Sequence, residues 1–216
     1  MTDTTPLRIG MMGGSFDPPH RAHYNVALAA VQSLGLHALH MVPTGSAWHK
    51  ARELTAATHR VAMAELAFGG IDGAIIDTCE IEREGASYTI DTLDALQRRY
   101  ARGAIAPELV LVVGWDQLMR FTSWHQWQNI ASRVLLAVAH RTESAGDAPA
   151  PDDLGQWQAL GLRVQLLPVA PVTMSSTAIR MQVGQQPIAN EWREQVAPAV
   201  AHYIERNGLY RAPTVA

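Results

Sequence analysis

Residues 7–23 read Leu7-Arg8-Ile9-Gly10-Met11-Met12-Gly13-Gly14-Ser15-Phe16-Asp17-Pro18-Pro19-His20-Arg21-Ala22-His23. An apolar run at 7–12 ends on two glycines. A helical pattern follows, with Tyr24, Ala27, Leu28, Val31 and Leu34 at steps of three and four until Gly35 stops it. This reads as a strand, a tight turn and a helix. Further apolar runs, expected as strands, lie at 38–42, at 74–76 with a continuation to Ile81, at 109–113, at 134–139 and at 164–169. Helical patterns recur through Ile90, Leu93, Leu96 and Tyr100, and again through Val196, Val200 and Tyr203. Several apolar runs are nearly continuous rather than alternating, as expected of strands covered on both faces. Strand and helix in repeated alternation imply parallel strands joined by right-handed crossovers. The expected fold is therefore α/β, a doubly wound and mainly parallel sheet. Residues 141–155, rich in Pro, Ala, Asp and Gly, are expected as a surface loop, and residues 212–216 as a frayed tail.

Composition sets the outer limits. The chain has 216 residues, 48% of them apolar and 17% charged. A chain of this length buries roughly 70% of the surface it exposes when unfolded, so one core suffices. Residues 1–216 are read as a single domain, with 175–210 as a helical C-terminal segment. The 17 basic and 20 acidic residues sum to −3, which argues against wrapping a nucleic-acid polymer. Cys79 is the single cysteine, which excludes an internal disulfide and a multi-cysteine zinc site. No apolar run approaches a membrane span, and residues 1–10 lack the pattern of a signal peptide, so a cytoplasmic location is expected.

In an open sheet of this kind, ligands bind at the carboxyl ends of the strands near the switch in strand order. Four expected loops hold the unusual chemistry: Gly13 to His23, Pro43 to Lys50, Gly114-Trp115-Asp116, and Met174 to Arg180. Gly13 and Gly14 let the backbone turn tightly against a ligand. The helix starting near His20 offers free N–H groups that suit phosphate. His20 and His23 are three apart and share a helical face, where they could donate to phosphate oxygens. A capping or packing role, or a two-histidine metal site, are the competing readings. No third ligand in a helical His-Glu-x-x-His frame accompanies the pair, and no P-loop or dinucleotide fingerprint is present.

Gly14-Ser15-Phe16-Asp17-Pro18-Pro19-His20-Arg21-Ala22-His23 resembles the signature of the nucleotidylyltransferase superfamily, G-x-F-D-x-x-H-x-G-H, with Ala22 where that pattern has glycine. Ser175-Ser176-Thr177-Ala178-Ile179-Arg180 is similar to its second signature, S-S-T-x-[IL]-R. Within the superfamily, Glu80 to Leu93 is similar to the E-x-x-R-x-G-x-S-Y-T-x-D-T-L stretch of bacterial nicotinate-nucleotide adenylyltransferases. His49-Lys50 resembles the end of their P-P-H-K segment, with Ala47 and Trp48 replacing the prolines. Gly114-Trp115-Asp116 with Trp124 resembles their G-A-D…W segment, with Trp115 replacing alanine. The resemblance covers essentially the whole chain and implies a Rossmann-like nucleotidylyltransferase fold.

The resemblance implies transfer of the adenylyl group of ATP to nicotinate mononucleotide, giving nicotinate adenine dinucleotide and pyrophosphate. Magnesium would be held mainly by phosphates and water, and no protein metal ligands are expected. By the same resemblance His20, His23, Lys50 and Arg180 are the catalytic set. ATP would contact Gly13, Gly14, Ser15, Phe16, His20, His23, Gly114, Asp116, Ser175, Ser176, Thr177 and Arg180. The mononucleotide would contact Ser15, Phe16, Lys50, Tyr88, Thr89 and Trp124, the last by stacking on the pyridine ring. Read without the resemblance, Ser175, Ser176 and Thr177 are ordinary helix N-caps, Lys50 is a solvated loop lysine, and Trp124 is a core filler. Cys79, His37, His40, His125 and His140 are read as structural or surface groups. The nearest rival functions are an adenylyltransferase for nicotinamide mononucleotide or phosphopantetheine, and a nucleotide-binding sensor without turnover. The sequence leaves open a homo-oligomer, the selectivity between acid and amide, and whether Trp48 and Trp115 close over a ligand or pack.

Overall fold

The computed structural model describes residues 5–45, 54–103, 105–139, 154–170, 174–185 and 190–211. Six strands, β1 (Arg8–Gly14), β2 (Ala38–Pro43), β3 (Ala74–Ile76), β4 (Glu108–Gly114), β5 (Val134–Ala139) and β6 (Arg163–Leu166), form one sheet in the order β3-β2-β1-β4-β5-β6. Every neighbouring pair is parallel. The chain therefore works outward from β1 to one edge, returns to β4, and works outward to the other. The reversal falls between β1 and β4, and the expected doubly wound parallel sheet is present.

The apolar runs are nearly continuous because both faces are covered. All six residues of β2 and the five central residues of β4 are buried. One face packs against α1 (Arg21–Leu34), α2 (Ala57–Phe68) and the C-terminal helices α8 (Ser176–Gly184), α9 (Trp192–Gln195) and α10 (Pro198–Arg206). The other packs against α4 (Thr89–Tyr100), α5 (Trp115–Leu118), α6 (Trp127–Ala131) and α7 (Gly155–Ala159). Helix α1 ends as its sequence implies, with Gly35 left-handed at φ 59°. Ala22 is buried in α1 without interrupting it.

Four expectations need correction. The run after β3 does not continue as strand to Ile81. The Asp77 carboxylate accepts the Cys79 amide at 3.1 Å, and the chain turns into a short helix, α3 (Cys79–Glu82). Strand β6 stops at Leu166, because Pro168 has no N–H with which to extend the ladder toward Val169. Val196 is buried but precedes α10, which begins on Pro198. Gly155, expected in a loop, opens α7. The rest of the 141–155 loop other than Leu154, and the tail at 212–216, lie outside the described residues. Among the described residues no helix is long and apolar enough to cross a membrane.

A buried polar cluster joins β2, β3 and α4. His40, 1% exposed, donates from Nδ1 to Asp77 Oδ2 at 2.8 Å, and its Nε2 shares a hydrogen bond with the Tyr100 hydroxyl at 2.8 Å. Arg99 adds a bond to the same Asp77 oxygen at 2.7 Å. The His40 bond, reinforced by Arg99 against the opposing effect of burial, holds the Asp77 carboxyl well below the usual carboxylate range. A depressed carboxyl pKa stabilises the fold above the unfolded pKa of about 4 and loses that contribution as pH falls below it. Urea titrations followed by circular dichroism should show Asp77→Asn to be less stable than wild type at pH 7. The variant should also lose less stability between about pH 4 and pH 2. Parallel pH profiles would show that Asp77 contributes nothing.

Candidate active site

Parallel strands place the loops after β1 and β4 side by side where the strand order reverses. The first loop leaves β1 at Gly14. Phe16 takes φ 46°, an unusual conformation for a large residue, and its ring is 1% exposed between Phe68 at 5.3 Å and His23 at 5.4 Å. Asp17 is fully buried. Its Oδ1 accepts from the Tyr210 hydroxyl at 2.7 Å and its Oδ2 from the Thr55 amide at 3.2 Å. Neither Asp17 nor Tyr210 was singled out from the sequence as a site residue. Nothing in the periodicity around Tyr210 shows that it reaches the first loop, while Asp17 lies inside the first signature and could be flagged by it.

His20 caps α1 and His23 lies one turn in. Their rings stack with centroids 3.8 Å apart, and the His20 amide donates to His23 Nδ1 at 3.2 Å. A nitrogen that accepts cannot carry the proton, so neutral His23 is protonated on Nε2 and presents a donor there. His20 is 4% exposed and His23 is half-buried. The pair is rigid, cationic when protonated, and set at a helix start.

The two signatures meet. Ser175 caps α8, accepting from the Ala178 amide at 3.1 Å. Ser176 donates to the Pro18 carbonyl at 2.8 Å. Arg180 donates to the Asp17 carbonyl at 2.7 Å and to Thr177 Oγ1 at 3.0 Å. Helix α8 is thereby docked on the first loop, and the capping reading of Ser175 holds. Across the crevice, Gly114 caps α5, and a Cβ there would come within 2.6 Å of Asp116 Oδ1. Asp116 is exposed and its Oδ2 accepts from Gln117 at 2.9 Å.

The third group surrounds the start of α4. Tyr88 caps the helix and Thr89 opens it; the Asp91 amide donates back to the Tyr88 carbonyl at 3.1 Å, while the amides before it precede the helical ladder. Tyr88 lies against the His125 ring at 4.3 Å. His125, read from sequence as structural or surface, thus joins the same group. Its sequence neighbour Trp124 is half-buried with its ring 5.4 Å from Phe121. Trp115 packs partly buried against the core on the α4 side of the sheet. Glu80 lies beneath this group, 7% exposed, accepting from Thr92 Oγ1 at 3.1 Å and from the Gly45 amide. Burial pushes its carboxyl upward. Gly45 comes so close that a Cβ there would overlap the Glu80 carbonyl oxygen. Cys79, half-buried beside Asp77, has its thiol pushed up to about 12 mainly by burial and is a poor nucleophile. Lys50, His49, Trp48 and Ala47 lie outside the described residues, as does His140.

The cytidylyltransferase-like family matches residues 11–182. A protein of Methylibium petroleiphilum named "Probable nicotinate-nucleotide adenylyltransferase" is 42% identical over 99% of this chain and 97% of its own length. One of the same name from Bordetella pertussis is 40% identical over 94% of this chain and 98% of its own. Among solved structures, the Plasmodium falciparum nicotinic acid mononucleotide adenylyltransferase complexed with NaAD superposes with a TM-score of 0.74 at 18% identity. It covers 94% of this chain and 97% of that one, a likeness of fold.

The Tyr210 bond to buried Asp17 gives a stability prediction. Tyr210→Phe leaves a buried carboxylate oxygen short of a donor, and should lower the unfolding free energy by about 1–3 kcal/mol in urea titration. A change under about 0.5 kcal/mol, the range of an ordinary surface substitution, would show that the bond is not needed.

Proposed function

The chain belongs to the nicotinate-nucleotide adenylyltransferase family, and we propose that it carries out that reaction: ATP and nicotinate mononucleotide give nicotinate adenine dinucleotide and pyrophosphate. The observation that carries this reading is the docking of Ser176 and Arg180 onto the loop of His20 and His23, which gathers phosphate-binding groups from both ends of the chain. A phosphate oxygen of the mononucleotide attacks the α-phosphorus of ATP in line. One P–O bond forms, the bond to the β-phosphate oxygen breaks, and pyrophosphate leaves with the electron pair. No covalent enzyme intermediate is involved, so the protein's contribution is positioning and stabilisation of shifting negative charge.

Each group has a role consistent with its geometry. Gly13, Gly14 and Ser15 supply close-approaching main chain for the triphosphate. His20 and His23 donate to its oxygens, His23 through the Nε2 proton that the His20 amide imposes. The start of α8, with Ser175, Ser176 and Thr177, offers N–H groups and hydroxyls to the leaving phosphates, and Arg180 adds a guanidinium charge. Lys50 is assigned a phosphate contact by its motif. On the acceptor side, the first-turn amides at Tyr88 and Thr89 suit a carboxylate better than a carboxamide, whose own NH₂ would meet a donor. Trp124 is proposed as the stacking partner of the pyridine ring.

Magnesium fits this donor set as a phosphate-held, hydrated ion. Asp116 is an exposed carboxylate able to contact a bound water, and among the described residues no three His, Cys, Asp or Glu groups converge on a metal position. The ion, when bound, would draw negative charge from the phosphates.

Protein incubated with ATP, magnesium and each mononucleotide in turn should release pyrophosphate fastest with nicotinate mononucleotide. Release with none of them would remove the assignment; faster release with nicotinamide mononucleotide would change the acceptor. His20→Ala should lower kcat by ~10²-fold or more while remaining folded, the scale of losing one transition-state donor. Trp124→Ala should raise KM for the mononucleotide and leave KM for ATP nearly unchanged. An equal rise in both would mark Trp124 as a packing residue.

A further inference from the structure

Helix α2 buries one stripe, Arg60, Met63, Ala64, Ala67 and Phe68. Four of these are apolar; the first is an arginine only 3% exposed. Burying a guanidinium costs several kcal/mol unless its donors are well used, and an apolar side chain would fill such a stripe at lower cost. The hydrogen bonds of Arg60 show where it acts. Nε donates to the Thr55 carbonyl at 2.9 Å, and Nη1 donates to the Thr44 carbonyl at 2.8 Å and the Ser15 carbonyl at 3.2 Å. Burial lowers its pKa, and the nearby Asp17 carboxylate offsets only part of that.

Those three carbonyls belong to two site segments. Ser15 lies in the first loop, five residues before His20. Thr44 and Thr55 flank the stretch 46–53 that includes Lys50. A single planar group therefore spaces the main chain of the histidine loop against both flanks of the lysine stretch. We infer that Arg60 is a positioning residue for adenylyl transfer, acting from beneath the site by fixing the first loop in register with the segment after β2. This inference rests on the functional reading above. Buried as it is, Arg60 acts through main chain and not on substrate. Lysine cannot replace it, because an ammonium on a flexible stem lacks the rigid fork that reaches three carbonyls at once.

The test compares Arg60→Lys, Arg60→Ala and a packing control, Leu34→Ala, at the end of α1 remote from His20. Kinetics are measured below the melting temperature of every variant. Misalignment between reacting groups should appear in kcat more than in KM. Expected are a kcat lower by ~10-fold in Arg60→Lys and by ~10²-fold in Arg60→Ala, with both KM values within about threefold of wild type. Added guanidinium ion should raise kcat of Arg60→Ala by ~10-fold and leave Leu34→Ala unchanged. A kcat within about threefold of wild type in Arg60→Lys, the variant expected to fold, would overturn the inference. So would an equal loss in Leu34→Ala at matched melting temperature, or the absence of guanidinium rescue in folded Arg60→Ala. If wild type itself releases no pyrophosphate, the functional reading fails, and amide hydrogen exchange decides the role of Arg60 separately. Faster exchange at residues 13–16, 44–45 and 54–55 in Arg60→Lys, with the rest of the sheet unchanged, supports the tie; unchanged exchange there removes it.

Discussion

A carboxylate with no access to water organises this site. Asp17 is fully buried, and a buried charge is tolerated only when its oxygens are matched by well-placed donors. The donors come from far along the chain: the Thr55 amide before α2 and the Tyr210 hydroxyl after α10. The Asp17 carbonyl in turn receives Arg180 from α8. Satisfying one side chain thus requires the first loop, the entry to α2, the second signature and the last turn of the described chain to arrive together. The stacked histidines, His20 and His23, are held three to six residues downstream of that knot.

The sheet supplies what the knot cannot. Parallel strands with a reversal between β1 and β4 open a crevice at their carboxyl ends. The near-continuous apolar strands bury both faces, so the crevice walls rest on two separate cores. On one wall the helix starts of α1 and α8 face the crevice from neighbouring loops. On the other, α4 is fastened to β2 and β3 through His40, Asp77, Arg99 and Tyr100. The polar fastening is local to that wall. Thr92 on α4 adds a second polar tie, to buried Glu80, and the apolar stripe Ile90, Leu93 and Leu96 packs between them.

Most of the sheet could be read from the sequence because its strands are buried on both faces and carry unbroken apolar runs. Two kinds of feature escaped. The first is a helix whose buried stripe is disguised: α2 begins its stripe on Arg60 and includes two alanines, Ala64 and Ala67, so its period of 3.6 has little contrast. The second is any side chain whose partner is distant. Asp77 turns the chain after β3 because its oxygens are claimed by His40, Arg99 and the Cys79 amide, and an apolar Ile81 four residues on hides that turn. The signatures could flag His20, His23 and Arg180 because their spacing is local. The contact of Tyr88 with His125 joins residues 37 apart that have no common periodicity.

The reach of Tyr210 back to Asp17 spans 193 residues, which bears on how the protein comes into being. During synthesis β1 and its histidine loop emerge well before the donor that completes the loop. Until then the Asp17 carboxylate has no tyrosine to receive and favours water over the interior. A nascent or prematurely terminated chain can therefore build much of the sheet while its first loop is still unlocked. Locking of the histidine loop therefore waits on a residue made 193 positions after the carboxylate it serves.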